Sequence, residues 1–194
     1  MEFTLLDAEC IFALISDFRA ATILYHMLGG NKNHFVVDAR MRWNGWGGCE
    51  KKEGQVQSFD MLAKDPFGMH HSMTVRFLAS LDDLSEIEEH RFAKVWERNE
   101  DGRFLICCPA ARVLVYFTQA DLPGGKLVCR YGFPMTADDL SLPAELPTQI
   151  VSTSVNDGSE LAEFVQYLKH PDPQTQKYGQ LSKRVEELRT EWET

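Results

Sequence analysis

Asp38, Glu53 and Gln55 are the residues whose types and spacing best suit chemistry. They lie in the stretch HFVVDARMRWNGWGGCEKKEGQVQSF, residues 34 to 59. Phe35, Val36, Val37 and Ala39 make a strand-like run, and Asn44-Gly45-Trp46-Gly47 is a turn signal. A two-residue loop with glycine first at its centre suits a type II′ turn. With Gly45 and Trp46 at that centre, Asp38 is expected directly opposite Glu53. Side chains alternate along a strand, so Gln55 shares the face of Glu53. Three oxygen-bearing side chains would then converge, the ligand type that Mg²⁺ takes. The arrangement is sensitive to register, because Gly47-Gly48 can lengthen the turn and a one-residue slip sends the carboxylates to opposite faces. The competing reading is a solvated hairpin with ordinary surface acids.

Around these acids stand Arg40, Arg42, Lys51 and Lys52, a local basic cluster suited to phosphate contact or to simple charge balance. Glu9, early in the first helix, is a further candidate metal ligand, or else an exposed first-turn acid favoured by the helix dipole. His70-His71 is a weaker candidate. Adjacent residues point apart, so the pair is not expected to share one ion. None of the five cysteines lies in a CxxC pair or beside a recognisable catalytic histidine, which argues for reduced thiols in a cytoplasmic protein and against a zinc or cysteine-nucleophile site.

These residues must be held by a fold, and the chain's size and pattern bound it. The length of 194 residues suits a single domain spanning 1–194, with a core at about 7–168 and a C-terminal amphipathic helix at about 176–192. Its 44% hydrophobic and 25% charged content is that of a soluble globular protein. No apolar run is long enough to span a bilayer, and the N-terminus has no basic signal region, so no membrane association is expected. The net charge of −9 repels nucleic acid unless basic groups gather on one face.

Helical periodicity over 7–28 stops at Gly29-Gly30, with Ser16-Asp17 a candidate break. Residues 60–72 read as a loop around Asp65-Pro66-Phe67-Gly68. Residues 73–79 alternate like a strand, with a helix as the alternative, and 84–98 read as a helix. FLICC and VLVYF are strand cores, continuously apolar as in a sheet covered on both faces. A strand at 126–131, a loop at 134–147, a strand at 149–155, a helix at 160–169 capped by Ser159, and a last helix at 176–192 complete the chain. The Leu181, Val185, Leu188, Trp192 stripe of that helix can dock on the chain's own core or form a homodimer seam. The expected architecture is α/β, a mixed β-sheet flanked by helices.

The order of these elements resembles the PD-(D/E)XK nuclease family transposases, relatives of the recombination-promoting nucleases. Asp38 and Glu53-Gly54-Gln55 match the family's Asp strand and Glu-x-Gln strand. Val115-Tyr116-Phe117-Thr118, Asp121, Gly124-Gly125 and Tyr131 match a later segment. Ile150-Val151 through Asn156, Leu161-Ala162-Glu163-Phe164 and Leu181 through Trp192 match the end, and residues 76–82 match a helix after the site. The strand CEKKEGQ is more polar than the family's, the 57–72 loop is longer, and the chain is short for the family. The resemblance implies a restriction-endonuclease-like fold and Mg²⁺-dependent phosphodiester hydrolysis of DNA. Asp38 and Glu53 would hold the metal, with Glu9 as an added ligand. Gln55 would orient the water, and Lys51, Lys52 or Arg76 would contact phosphate. It equally admits a shortened or degenerate member that has kept the sheet and lost the metal. The alternative is a non-catalytic acidic module that binds or inhibits another protein, with Trp43, Trp46 and the C-terminal stripe as anchors.

Overall fold

The computed structural model describes residues 5–6, 8–42, 58–78, 81, 95–98, 104–107, 111–131, 147–172 and 174–193. The chain starts with two short helices, α1 (Ala8–Ile15) and α2 (Phe18–Met27). The break between them is where Ser16-Asp17 stand, and Asp17 caps α2 by accepting from the amides of Arg19 and Ala20. Gly29, at φ 90°, turns the chain out of α2. Strands β1 (Phe35–Arg42), β2 (Ser58–Lys64) and β3 (His70–Leu78) follow as an antiparallel meander. A separate antiparallel pair is formed by β4 (Val95–Arg98) and β5 (Phe104–Cys107). Then come β6 (Ala111–Thr118), β7 (Val128–Tyr131), β8 (Thr148–Ser152), α3 (Glu160–Lys169) and α4 (Gln180–Glu193).

Six strands form one mixed sheet in the order β1-β2-β3-β6-β8-β7. β3, β6 and β8 run parallel, and β7 returns antiparallel at the edge. One face of this sheet is mainly apolar. Val36, Phe59, Met61, Met73, Val75, Val115, Phe117 and Val151 share a single buried cluster with residues of all four helices. A bulge in β1 maintains that face. Val36 pairs with Ala63 but Asp38 pairs with Leu62, so Val37 is the extra residue, and the apolar positions Val36 and Ala39 both turn to the core although they lie three apart.

The other face differs in kind. Cross-strand rows there read Asp38–Leu62–Ser72, Arg40–Asp60–Thr74 and Ser58–Arg76–Tyr116. Only its β6–β8–β7 side is apolar, where Leu114, Tyr116, Cys129 and Ile150 cluster with Leu78 and Leu122. The α/β expectation with a mixed sheet therefore holds. The four helices of the described residues gather in one core on one face, so among those residues the expected helices are seen on that face alone.

Other expectations are corrected. Residues 60–72 are not one loop. Asp60 through Lys64 belong to β2, whose apolar positions alternate under the helices, and the turn is confined to the residues around Asp65–Met69. Residues 73–78 are strand, against the helix implied by the resemblance at 76–82, because Met73, Val75 and Phe77 line one face at a spacing of two. The end of the expected 84–98 helix is strand β4. The last helix begins at Gln180, after a single 3₁₀ turn at Gln176–Tyr178. Its Leu181, Val185 and Leu188 are buried in the chain's own core, which uses the face a dimer seam would need. Asp38 pairs with Leu62 of β2, while Glu53, expected opposite it, lies outside the described residues. The expected Gly45-Trp46 turn and all but the last residue of the 134–147 loop lie outside the described residues, as do Lys51, Lys52, Glu53 and Gln55.

Candidate metal centre

The ends of three elements meet at one corner of the helical face. β1 and β2 are in a register that sets Phe35 opposite Lys64, so the residue before β1, His34, comes to the residue after β2, Asp65. β3 pairs His71 with Ala63, two positions earlier on β2. His34, Ala63, Asp65 and His71 thus stand on the same face by strand alternation. One ligand atom from each of His34, Asp65 and His71 lies within 4.8 Å of the other two. No other such cluster of histidine, cysteine and acidic groups is found among the described residues.

Each member is positioned by its neighbours. Asp65 Oδ1 accepts from the amides of Phe67 and Met69, 2.9 Å each, which fixes the turn between β2 and β3. Its Oδ2 faces His71 Nε2 at 3.3 Å. The His34 and His71 rings stack, with centroids 4.1 Å apart and 30° between planes. His34 Nδ1 is 3.3 Å from the Tyr25 hydroxyl, and His26 Nε2 lies 2.7 Å from the His34 carbonyl. Helix α2 therefore holds His34 by two side chains. Gly30 allows this approach: a Cβ there would sit 2.2 Å from the Tyr25 ring.

The protonation states suit a cation. Burial pushes the His34 imidazole below its usual range, and the neighbouring His71 and His26 push the same way against Asp65. A neutral imidazole offers a lone pair. Burial pushes Asp65 up, but the Met69 and Phe67 amides and the His71 ring outweigh it, so the carboxylate titrates below its usual range. A neutral histidine and an ionised carboxylate are the forms that bind metal.

The residues selected from the sequence lie elsewhere. Asp38 is on β1, on the polar face, and both Nε and Nη2 of Arg40 donate to its Oδ2 at 2.8 and 2.5 Å. Among the described residues Asp38 thus meets a guanidinium; Glu53 and Gln55, its expected partners at the metal, lie outside them. Glu9 belongs to α1, which packs in the core of the opposite face. Arg76 is on β3, on the same face as Asp38 and separated from it by β2.

Sequence reading missed His34 and Asp65 as ligands, because His34 is 31 residues along the chain from Asp65 and 37 from His71; strand register alone joins them. It rightly separated His70 from His71, since consecutive strand residues face opposite ways. Compared with family models, curated proteins and solved structures, the chain finds no match.

Proposed function

We propose that this protein binds a divalent transition-metal ion, with zinc the best fit, on His34, Asp65 and His71. The supporting observation is the convergence of these three side chains from three separate strand ends. Two imidazoles and one carboxylate are a donor set that zinc takes. Ligand atoms of a tetrahedral zinc at about 2.0–2.1 Å stand about 3.3 Å apart, and His71 Nε2 and Asp65 Oδ2 are already at 3.3 Å. With His34 Nδ1–H donating to the Tyr25 hydroxyl, Nε2 of His34 is left to face the ion. Three protein ligands leave a fourth position for water, the arrangement of hydrolytic rather than structural zinc. A bound ion would there supply an acidified water, and the chain's part is to hold the ligands and keep His34 neutral.

Zinc titration against a competing chromophoric chelator tests this. The wild type is expected to bind one equivalent, and His34→Ala and His71→Ala to lose at least about a hundredfold in affinity, since each removes a direct ligand. A wild type that takes up no zinc at micromolar concentration, or variants that bind like it, would sink the reading.

Mg²⁺-dependent cleavage of DNA through Asp38, Glu53 and Gln55 is the second reading. The mixed sheet and the basic side chain beside Asp38 favour it. Plasmid cutting with Mg²⁺ or Mn²⁺ that disappears in Asp38→Ala, at unchanged melting temperature, is its expected outcome. Intact plasmid with either metal eliminates it.

A further inference from the structure

Among the described residues, the polar face of the sheet holds a cation, Arg76, that no carboxylate pairs with. Arg76, in the middle of β3, is 4% exposed. Its Nε is buried and has no hydrogen-bond partner, and no ion pair joins Arg76 to a carboxylate among the described residues. Directly opposite on β2, Ser58 is also buried, and its Oγ also lacks a partner there. The nearest acid in the register is Asp60, one row along the same face. Thr74, in that row, donates to Asp60 Oδ1 at 2.5 Å. On the other side of Arg76 stands Tyr116 of β6.

A buried guanidinium keeps its charge at any ordinary pH, and an unpaired buried charge is among the costliest arrangements a protein can hold. Such a group is either relieved by a ligand or selected against. The hydroxyl facing it is a neutral donor that adds to anion binding and cannot neutralise the charge. We propose that Arg76 and Ser58 bind a small oxyanion, a phosphate or carboxylate group, enclosed against the second face of the sheet. Arginine's planar fork matches two oxygens of either anion at once. The burial of both residues fits a small group that is enclosed rather than a polymer lying on the surface. This site is on the opposite side of the sheet from His34 and His71 and does not depend on metal binding there.

The test is thermal melting of the full chain in inorganic phosphate, acetate or chloride at matched ionic strength, backed by calorimetric titration with phosphate. A saturable rise of about 5 °C or more at a hundredfold excess over Kd is expected with phosphate or acetate but not with chloride. The anion giving the rise distinguishes the two ligand chemistries. Arg76→Met is expected to abolish the rise, Arg76→Lys to weaken it, and Ser58→Ala to weaken it about tenfold in affinity, as for a lost hydrogen bond to a charged group. Should Arg76→Met fail to fold, Ser58→Ala and the wild-type titrations decide alone. No oxyanion response in the wild type, or one that persists unchanged in Arg76→Met or Ser58→Ala, overturns the proposal.

Discussion

At the residue scale, Asp65 does two separable things. One oxygen accepts from two backbone amides and sets the turn between β2 and β3, while the other faces His71. Asparagine keeps an acceptor oxygen for the amides and loses the charge, whereas alanine loses both. Asp65→Asn is therefore expected to melt close to wild type yet bind zinc at least about tenfold more weakly. Asp65→Ala is expected to lose zinc binding and also to melt below Asp65→Asn, because the turn amides lose their acceptor. Chelator competition and thermal melts on the two variants separate the roles; equal zinc affinity in Asp65→Asn and wild type would remove the carboxylate from the site. Tyr25 acts one layer out. Its hydroxyl orients the His34 ring from Nδ1, so Tyr25→Phe is expected to weaken zinc binding by about tenfold while leaving the ligand count at three. The same titration measures it, and an unchanged affinity would mean that the ring is held by stacking on His71 alone.

At the element scale, α3 and α4 are joined by a buried polar contact inside an otherwise apolar seam. The Tyr167 hydroxyl donates to Ser182 Oγ at 3.1 Å, with Tyr178 packed against the Tyr167 ring at 4.6 Å. Tyr167→Phe leaves Ser182 with a buried hydroxyl and is expected to cost about 1 kcal/mol. Burial raises the Tyr167 hydroxyl above its usual range, with Ser182 opposing and Asp172 and Tyr178 adding to the rise, and burial raises Tyr178 likewise. The folded state therefore holds these protons more tightly than the unfolded state. That stability is fully present below the unfolded value, about pH 10, and is lost as pH rises through the folded one. Melting temperature should fall above pH 10 more steeply in wild type than in Tyr167→Phe; parallel curves would assign the alkaline loss to other groups. These helices were legible in the sequence because Ser159 caps one, and Leu181, Val185 and Leu188 mark the buried stripe of the other. The same patterning gave β6 and β8. β2 was missed because the turn residues Asp65-Pro66-Phe67-Gly68 outweighed the short alternation Phe59, Met61, Ala63 beside them. The metal cluster was illegible for a different reason. His34 and Asp65 are ordinary polar residues at strand ends, and only the bulge at Val37 and the register of β1 on β2 bring them together.

At the scale of the whole molecule, the sheet has two dissimilar faces, and the larger of its two buried apolar clusters lies on one of them. The helical face buries a continuous apolar cluster from Leu5 to Leu188, whereas the other face spends its centre on Asp60, Thr74 and Arg76. The net charge of −9 adds a field that draws divalent cations to the first site and opposes anions at the second. Raising inert salt should therefore weaken zinc binding modestly and favour phosphate binding, through screening over about 10 Å at 0.1 M. If the helical face carries the fold, its centre is Phe117, which is 1% exposed on β6 and stacks on Phe77 at 5.6 Å. Phe117→Ala removes a ring that neighbouring strands cannot close over, at a cost of about 3–5 kcal/mol. Against a total of about 5–15 kcal/mol, that is expected to lower the melting temperature by at least about 6 °C. Phe67, 90% exposed in the turn after β2, is the matched control. Its change to alanine removes the same atoms from solvent rather than from a core, and is expected to stay within about 0.5 kcal/mol of wild type. Thermal melts of the pair, read by circular dichroism, check this. If the two variants melt together, the apolar face is not the core of this fold, and the strand register that assembles His34, Asp65 and His71 loses its support.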